Sequence, residues 1–404
     1  MKQMIIVGGG QAGFSIIENL KALGCRHNLI LFTEEGTVPY QRPPLSKKFL
    51  LGEFPEERLY YKPYQFYKSQ NVQLEVSSKV TWIDRAEKKI VLENEEAYDY
   101  DKLFLAMGAR ARHLPIDINA NLLRVYTLRN IKDVEKIRPE FVSGRKLVII
   151  GGGYIGLETA AIARKIGLEV TIIESADRIL NRVSCEFTSD YFRKLHREND
   201  VKIIEKAQIE KFVDSDGVFV GTRLKNGRLV KGDFAIVGIG SSPNDNIATD
   251  AGIKTFNGIE VDEKCVTSDP DILAAGDCTN FLHNGKRLRL ESVGNAIDQA
   301  KIAAKTAMGM QACYIAKPWF WSDQYDTKLQ MAGHNWGYDE IVHRESEKGT
   351  SHWYFQGNKL ISVDALNDPA SYMIGKRLIE QGLSPDIGLV ANKTYDLKKL
   401  LKNL

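Results

Sequence analysis

The stretch Met4-Ile5-Ile6-Val7-Gly8-Gly9-Gly10-Gln11-Ala12-Gly13 decides the architecture of the chain. Its apolar run predicts a buried strand, and the residues that follow have the pattern of a helix. Gly8, Gly10 and Gly13 stand at G-x-G-x-x-G spacing. In such a motif the first glycine allows a tight turn, the second admits a pyrophosphate, and the third lets helix and strand pack closely. The motif predicts a dinucleotide site at a helix N-terminus, where free N–H groups attract phosphate. A glycine-rich turn without a ligand is the alternative for a single copy.

The same pattern occurs a second time. The apolar run Lys146–Ile150 leads into Gly151, Gly153 and Gly156, and a helical segment follows. Two copies in one chain predict either two bound dinucleotides or one site and one relic.

Each copy is followed by an acidic residue at the end of its second predicted strand. Glu34 follows the first copy and Glu174 the second. A carboxylate at this position accepts hydrogen bonds from ribose hydroxyls and repels a 2′-phosphate, so Glu174 favours NADH over NADPH. Arg178 lies nearby in the sequence and weakens this preference.

Length and composition limit the classes of protein. The 404 residues are too many for one ordinary core, and the net charge of +3 is too small to indicate nucleic acid binding. No apolar run has the length of a membrane span, and the short N-terminal run ends in glycine, unlike a signal peptide. The five cysteines form no C-x-x-C pair, which argues against iron–sulfur and zinc sites. No metal site is predicted, and a reducing cytoplasm is the expected location.

Three further apolar runs end in glycine and are predicted to be buried strands. They are 103–109, 234–240 and 271–276. The first of them is expected to return to the first sheet. Asp277 follows the last of them, where it could hold a polyol. Segments 72–92 and 201–237 alternate between apolar and polar residues, which predicts two β-meanders. A helix is predicted from about Val293 to Met308, with Ser292 as its cap.

The segment 39–47 brings two cations close to the first glycine motif. Arg42 and Lys47 could meet a phosphate or an electron-rich ring, or they could be ordinary surface residues. Ser46 is predicted to cap a helix that starts at Lys47. The last ninety residues change character, with an aromatic run 318–325, several strand-like segments and one helix, and they predict a small α+β domain.

With these segments in hand, the whole chain resembles the glutathione-reductase-like flavoproteins with two dinucleotide sites. Within that superfamily it is most similar to the FAD-dependent ferredoxin reductases that serve oxygenases. The segments that carry the resemblance are the two glycine motifs, Arg42–Lys47, Leu157-Glu158, Ala275–Asp277 and Pro318–Gln324. The sequence departs from the family pattern at Met107, where threonine is usual, and at Gly294, where glutamine is common.

The resemblance implies an α/β fold with two Rossmann-like domains, for FAD and NAD, and a C-terminal α+β domain. It implies a discontinuous FAD domain at 1–110 and 244–316, an NADH domain at 111–243 and a C-terminal domain at 317–404. It assigns Lys47 to the flavin, Glu158 to the nicotinamide and Trp321 to the face of the flavin ring, and these three would be catalytic. It also suggests that Lys47 and Glu158 form a pair. The FAD residues would be Gly8, Gly10, Gln11, Ala12, Gly13, Glu34, Arg42, Lys47, Val80, Ala106, Gly108, Gly276, Asp277, Ser292, Val293 and Trp321. The NAD residues would be Gly151, Gly153, Tyr154, Ile155, Gly156, Glu158, Glu174, Gly238 and Gly240.

The positions of the cysteines limit the routes by which electrons can leave the flavin. Disulfide reductases of the superfamily carry a C-x4-C pair in the segment where this chain has Tyr40 to Lys47, and no cysteine is present there. Cys278 is expected to pack behind Asp277 without a redox role. Electrons that enter as hydride have no thiol through which to leave. This leaves release of the electrons one at a time, which suits an iron–sulfur partner. With the resemblance, the expected function is NADH-dependent reduction of a [2Fe–2S] ferredoxin that serves an oxygenase, by a monomer or homodimer. An NADH oxidase, a quinone or radical reductase, and a redox sensor similar to apoptosis-inducing factor are the alternatives.

Overall fold

The structure is a computed structural model, and it describes residues 2–115, 118, 122–283, 285–347 and 349–401. The chain packs as two compact units, and both are discontinuous in sequence. The first contains Met1–Arg42, Phe54–Arg110 and Ser241–Pro318, and the second contains Pro43–Glu53, Ala111–Gly240 and Trp319–Leu404.

The strands of the described residues are numbered in chain order. They are β1 (Gln3–Val7), β2 (Asn28–Phe32), β3 (Val72–Glu75), β4 (Val80–Asp84), β5 (Lys89–Leu92), β6 (Ala97–Asp99), β7 (Lys102–Leu105), β8 (Ala109–Ala111), β9 (Val125–Tyr126), β10 (Lys146–Ile150), β11 (Glu169–Ile173), β12 (Lys202–Ile204), β13 (Ile209–Ser215), β14 (Val218–Leu224), β15 (Leu229–Lys231), β16 (Phe234–Val237), β17 (Ser241–Pro243), β18 (Ile259–Val261), β19 (Ile272–Ala274), β20 (Thr279–His283), β21 (Lys286–Leu288), β22 (Trp319–Gln324), β23 (Thr327–Gly333), β24 (Glu340–Glu345), β25 (Thr350–Gln356) and β26 (Lys359–Leu366).

The α-helices of the described residues are numbered in the same way. They are α1 (Gln11–Ala22), α2 (Tyr64–Ser69), α3 (Ile131–Ile137), α4 (Tyr154–Ile166), α5 (Glu186–Glu198), α6 (Asn246–Asp250), α7 (Val293–Ala307), α8 (Pro369–Glu380) and α9 (Ile387–Ala391). Short 3₁₀ turns lie at Pro43–Ser46, Glu56–Arg58, Arg138–Glu140 and Leu397–Leu401.

The first unit is built on a parallel sheet with the strand order β19-β7-β1-β2-β3. Strand β1 lies between β2 and β7, so the predicted return of the 103–109 run to the first sheet is confirmed. The apolar residues of β1, β2, β7 and β19 are buried, as expected for parallel strands whose faces are covered. The glycine turn after β1 therefore lies at the carboxyl edge of the sheet, where the strand order reverses, which is the usual ligand position in open α/β sheets.

The first predicted meander is partly wrong. Strand β3 pairs parallel to β2 and belongs to the main sheet, whereas β4, β5 and β6 form a separate antiparallel meander. The edge strand β3 buries only alternate side chains, and this gives it the same sequence pattern as a meander strand.

The second unit repeats this plan around β10. Its parallel sheet has the order β12-β11-β10-β16-β9, with β10 between β11 and β16. The predicted meander in 201–237 is again partly wrong, because β12 and β16 belong to the parallel sheet and only β13, β14 and β15 form a meander.

The C-terminal part of the second unit is an antiparallel sheet with the order β22-β23-β26-β25-β24. Helix α8 packs on this sheet over a core that includes Trp353, Phe355 and Val363. The predicted α+β character of this segment is confirmed. The aromatic run beginning at Trp319 is an edge strand of the sheet, and this positions its alternate side chains on opposite faces.

Candidate active site

The glycine turn between β1 and α1 has a shape that side chains would prevent. Gly8 has a φ of +117°, and a Cβ at this position would lie 2.2 Å from the carbonyl oxygen of Ala106. A Cβ on Gly13 would lie 2.0 Å from the carbonyl oxygen of Gly8. At Gly10, in contrast, no described atom lies within 4 Å of such a Cβ. The turn thus leaves open space in front of Gly10, into which a pyrophosphate fits.

The start of helix α1 is prepared for an anion. Gly10 is its N-cap, and among the described residues no side chain caps the helix there and no acidic residue stands in its first turn. Gln11 is held in place by hydrogen bonds from its amide to the Ser15 hydroxyl (3.0 Å) and from the Tyr61 hydroxyl to its Oε1 (2.6 Å). Tyr61 also stacks on Phe14, with 4.6 Å between ring centroids. The free N–H groups and the positive end of the helix dipole suit a phosphate.

Arg42 and Asp277 share one electrostatic environment in the first unit. The Arg42 guanidinium donates to Glu35 Oε1 at 2.5 Å and to the Tyr40 hydroxyl at 3.1 Å. Burial lowers the pKa of Arg42, but Tyr40, Glu35 and the Asp277 carboxylate together raise it above its ordinary value. Sequence analysis selected Glu34, which lies exposed beyond β2. Its neighbour Glu35 binds Arg42, and nothing in the spacing distinguishes the two.

Two residues assigned to FAD, Lys47 and Trp321, belong to the second unit. The others lie in the first unit, along the carboxyl edge of its sheet or in its core. The backbone N–H of Gly276 donates to Gln299 Oε1 at 2.9 Å, which fixes the turn before Asp277. Ser292 caps α7 through the N–H of Asn295, so the predicted cap is confirmed. The positions are as follows: Ala12 is buried on α1, Val80 is a core residue of β4, Ala106 and Gly108 follow β7, and Val293 is the first residue of α7.

The thiol of Cys278 is fully buried behind Asp277, as expected. Its Sγ lies 3.5 Å from the carbonyl oxygens of Leu105 and Ala275. Burial raises the pKa of this thiol to about 12. A thiol in this environment stays protonated and unreactive at neutral pH.

The glycine turn between β10 and α4 has the same geometry as the first one. Gly151 has a φ of +103°, and a Cβ there would lie 2.4 Å from the carbonyl oxygen of Gly238. A Cβ on Gly156 would lie 2.3 Å from the carbonyl oxygen of Gly151. Gly153, the N-cap of α4, again faces open space, with no described atom within 4 Å of its Cβ position. The residues of both turns therefore fit a dinucleotide in the same way.

The carboxylate of Glu174 is aimed at the second glycine turn. Its Oε2 accepts from the N–H of Gly152 and its Oε1 from the N–H of Ala176, both at 2.7 Å. Arg178 is occupied elsewhere, because it donates to Ser184 O at 2.8 Å and to Ser189 Oγ at 2.5 Å. Arg178 is the cation that weakens the NADH preference predicted from the sequence. It is bonded to residues at the start of α5 and just before it, and it does not neutralise Glu174.

Three more residues assigned to NAD surround this turn. Ile155 is exposed in the first turn of α4. Gly240 has a φ of +106°, and a Cβ at this position would lie 3.6 Å from the guanidinium of Arg182. The Tyr154 hydroxyl lies 3.0 Å from Met331 Sδ, and its ring packs 4.7 Å from that of Phe320. Burial raises the pKa of Tyr154 well above its ordinary value, so the hydroxyl stays neutral.

Lys47 and Glu158 form a buried ion pair. The Lys47 ammonium lies 2.7 Å from Glu158 Oε2, with side-chain exposures of 18% and 5%. Glu158 accepts two more hydrogen bonds, from Ser46 Oγ to Oε2 at 2.6 Å and from Ser322 Oγ to Oε1 at 2.7 Å. Three donors, one of them a cation, thus converge on one buried carboxylate. The suggested pairing of Lys47 with Glu158 is confirmed.

Sequence analysis missed the serines of this cluster. The prediction that Ser46 caps a helix starting at Lys47 is wrong, because Pro43–Ser46 is a 3₁₀ turn and Ser46 ends it. Its hydroxyl is directed to Glu158 instead of a backbone N–H. Ser322 stands in the aromatic run, and the strand's alternation turns it to the buried face. Trp321 is half-buried beside it and stacks on Trp319, with 5.5 Å between ring centroids.

A buried group in the second unit has residue types that bind metals, although none was predicted from the sequence. Candidate ligand atoms of Cys185, His352 and Asp364 lie within 4.8 Å of one another. However, the Thr188 hydroxyl lies 2.7 Å from His352 Nδ1 and donates to Asp364 at 2.9 Å, and the Tyr354 hydroxyl also bonds to Asp364. Burial raises the pKa of Asp364 to about 6 and lowers that of His352 to about 3. We interpret the group as a hydrogen-bonded network between α5 and the C-terminal sheet.

Acid should destabilise the second unit through His196. This residue is completely buried on α5, and burial lowers the pKa of its imidazole to about 4. An unfolded histidine titrates near about 6.5. As the pH falls from about 6.5 to about 4, the unfolded state binds the proton first, and the free energy of unfolding decreases.

The free energy of unfolding should decrease from pH 7 to pH 4 in both the wild type and His196→Gln. We expect this decrease to be about 3 kcal/mol smaller in His196→Gln. Denaturant titrations at the two pH values measure this difference. His113→Gln, at an exposed position, is the matched control and should follow the wild type. Equal losses in the His196 variant and the wild type would contradict the prediction.

Two protein families match consecutive parts of the chain. Residues 2–300 match the family described as pyridine nucleotide-disulphide oxidoreductase, and residues 319–401 match the one described as reductase C-terminal. The part of the chain that the structure describes contains no helix with the length and apolar character that a membrane crossing requires.

Individual relatives cover nearly the whole chain. The chain is 37% identical to putidaredoxin reductase CamA of Pseudomonas putida, over 98% of this chain and 96% of that protein. It is 39% identical to rhodocoxin reductase of Rhodococcus erythropolis, over 98% and 93%. The fold matches putidaredoxin reductase in a covalent complex with putidaredoxin with a TM-score of 0.96, at 36% identity over 100% of this chain and 98% of that one.

These matches confirm the predicted fold class, the oxidoreductase class and the two cofactors, FAD and NADH. The chain therefore belongs to the pyridine nucleotide-disulphide oxidoreductase family, in the group of ferredoxin reductases that its sequence resembles.

Proposed function

We propose that the protein catalyses electron transfer from NADH to a [2Fe–2S] ferredoxin that serves an oxygenase, either a Rieske dioxygenase or a cytochrome P450. The observation that carries this proposal is the pair of open glycine turns, at Gly10 and Gly153, in a chain whose segment 40–47 has no cysteine. Bound FAD supplies the chemistry, because it accepts a hydride and releases its two electrons singly. With no thiol in the segment 40–47, a one-electron protein partner is the acceptor that fits.

The residues divide into two binding sets. We assign FAD to the first unit, with its pyrophosphate at Gly10 and its charged contacts from Arg42 and Asp277. We assign NADH to the second unit, with its pyrophosphate at Gly153 and its ribose on Glu174. The domain boundaries expected from the sequence, the cytoplasmic location and a monomeric or homodimeric state belong to the same proposal.

Lys47, Glu158 and Trp321 are the proposed catalytic residues. The buried carboxylate orients the Lys47 ammonium, whose charge stabilises the negative charge that reduction of a flavin produces. We assign Trp321, whose ring stacks on that of Trp319, to the face of the flavin ring.

The direct test of the proposal is the cofactor content and its reduction. The purified protein should contain one FAD per chain, and NADH should bleach it completely without oxygen. NADPH should do so far more slowly. A protein that binds no flavin in either form, or that NADH does not reduce, would contradict the proposal.

The preference for NADH should depend on Glu174. Replacing it with glutamine removes the negative charge that repels a 2′-phosphate and leaves a side chain of similar size. We expect the ratio of kcat/KM for NADH over NADPH to fall by about tenfold, the effect of about 1.4 kcal/mol. Glu169→Gln, at the exposed start of β11, is the matched control. An unchanged ratio in the Glu174 variant would exclude the assigned ribose contact.

A further inference from the structure

A chain of buried polar side chains extends from Glu158 into the C-terminal sheet. Ser322 Oγ donates to Glu158 Oε1 at 2.7 Å, and Gln324 Nε2 donates to Ser322 Oγ at 3.2 Å. Gln324 Oε1 lies 2.8 Å from His196 Nε2, and the Tyr325 hydroxyl lies 3.4 Å from His196 Nδ1. Ser322, Gln324 and His196 are all completely buried. We call this series, from Tyr325 to Glu158, the Glu158 relay.

The hydrogens of the Glu158 relay have one consistent arrangement. An ionised carboxylate only accepts, so the Ser322 hydroxyl must donate to Glu158. Ser322 then accepts from the amide nitrogen of Gln324, which leaves the amide oxygen facing His196. His196 must therefore carry its hydrogen on Nε2 and accept at Nδ1. The low pKa of this imidazole, about 4, agrees with a neutral ring.

Two separate elements of the second unit supply Ser322, Gln324 and His196 to the Glu158 relay. Ser322 and Gln324 are two residues apart on β22 and so point to the same face of the strand. His196 comes from the last turn of α5 and approaches from a different element. Buried polar groups of this kind add no stability over apolar packing of equal volume, but they fix a unique geometry. Every donor in the series points toward a single carboxylate.

We infer that Ser322, Gln324 and His196 are positioning residues, which fix the orientation of the Glu158 carboxylate and thereby keep it bonded to Lys47. The inference rests on the proposed function, in which the Lys47–Glu158 pair takes part in the reaction of NADH. It extends the functional unit from helix α4 to the C-terminal sheet, and the three residues act through Glu158.

The first test determines the direction of the hydrogen bonds in the Glu158 relay and needs no catalytic turnover. In the FAD-bound protein with ¹⁵N-labelled histidine rings, NMR at pH 7 should show His196 with its hydrogen on Nε2. The variant His196→Gln assigns the signal. In Glu158→Gln the new amide can both donate and accept, so Ser322 no longer has to donate to position 158. The direction of donation along the relay is then free, and His196 with its hydrogen on Nδ1 should appear. A wild-type ring with the hydrogen on Nδ1, or an unchanged tautomer in Glu158→Gln, would overturn the inference.

The second test separates positioning from binding in stopped-flow reduction by NADH. Ser322→Ala and Gln324→Leu should slow flavin reduction by about tenfold, the usual loss when an outer partner that orients a site group is removed. The Kd for NADH and the FAD content should stay within about twofold. Ser322→Thr, which restores a hydroxyl, should recover most of the rate. Ser362→Ala is the matched control, because this buried serine of the same sheet donates only to the Ala332 carbonyl at 2.9 Å.

Two outcomes distinguish the inference from the function on which it rests. If Glu158→Gln slows the reduction while Ser322→Ala is as fast as Ser362→Ala, the relay has no positioning role and the proposed function stands. If Glu158→Gln reacts with NADH as fast as the wild type, the proposed role of the Lys47–Glu158 pair is wrong, and the inference falls with it.

Discussion

Gly10→Val is expected to yield a correctly folded protein without FAD, and Gly153→Val a yellow protein that no longer reacts with NADH. Both glycines have extended backbone, which valine adopts readily, and no described atom lies within 4 Å of either Cβ position. The fold therefore tolerates the side chain at a cost of about 1 kcal/mol for a poorer helix cap. The pyrophosphate does not tolerate it, because the valine occupies the space that the glycine leaves open.

The expected loss of binding is at least about a hundredfold at each site, since overpacking of this size costs about 3 kcal/mol. The two variants are matched controls for each other, because their turns share the same geometry. Flavin absorbance reports FAD content, and isothermal titration calorimetry reports NADH binding. If Gly153→Val lost flavin and Gly10→Val kept it, the assignment of the two sites would be reversed. If both variants kept both ligands, the turns would not be the binding sites.

Glu158→Gln is expected to slow flavin reduction by NADH by about a hundredfold or more, the size of effect seen when a preorganised electrostatic partner is lost. The neutral amide cannot balance the buried Lys47 ammonium, and its N–H group competes with the donors Ser46 and Ser322. We expect Lys47→Met to give a similar loss, because the remaining carboxylate then has no cation. Stopped-flow absorbance at saturating NADH measures the chemical step apart from binding.

The same variants also test how much the Lys47–Glu158 pair contributes to the stability of the fold. Removing one partner of a buried pair costs about 3 kcal/mol or more of the free energy of unfolding, because an uncompensated charge stays behind. The double variant Lys47→Met/Glu158→Gln should be more stable than the sum of the single losses predicts. It should remain as slow as the slower single variant, since the reaction needs both groups. Additive losses in stability would show that the two charges do not interact.

The local parts of the fold could be predicted from the sequence. Each glycine turn follows from three residues within six positions, because the tight backbone contacts that exclude a Cβ all involve the turn itself and one neighbouring strand. The buried strands around β1 and β10 follow from uninterrupted apolar runs. Strand β3 is wrongly predicted as part of a meander, because a half-exposed parallel edge strand and a meander strand have the same alternation of buried and exposed side chains.

The cluster around Glu158 could be predicted only in part. The resemblance to a known family selected Lys47 and Glu158, 111 residues apart, and the structure joins them. Their partners Ser46 and Ser322 are 112 and 164 positions from Glu158, and a serine has no sequence signal for such a distant contact. The Glu35 contact to Arg42 was missed for a different reason, since two adjacent glutamates differ only in the direction in which the backbone turns them.

The most direct test of the central claim is cytochrome c reduction by the purified protein and NADH, measured with and without a [2Fe–2S] ferredoxin from an oxygenase system. The account predicts slow reduction with the reductase alone and strong stimulation that saturates with the ferredoxin. Rapid NADH consumption with oxygen or a quinone, and no effect of any ferredoxin, would contradict it and identify an oxidase or quinone reductase on the same fold.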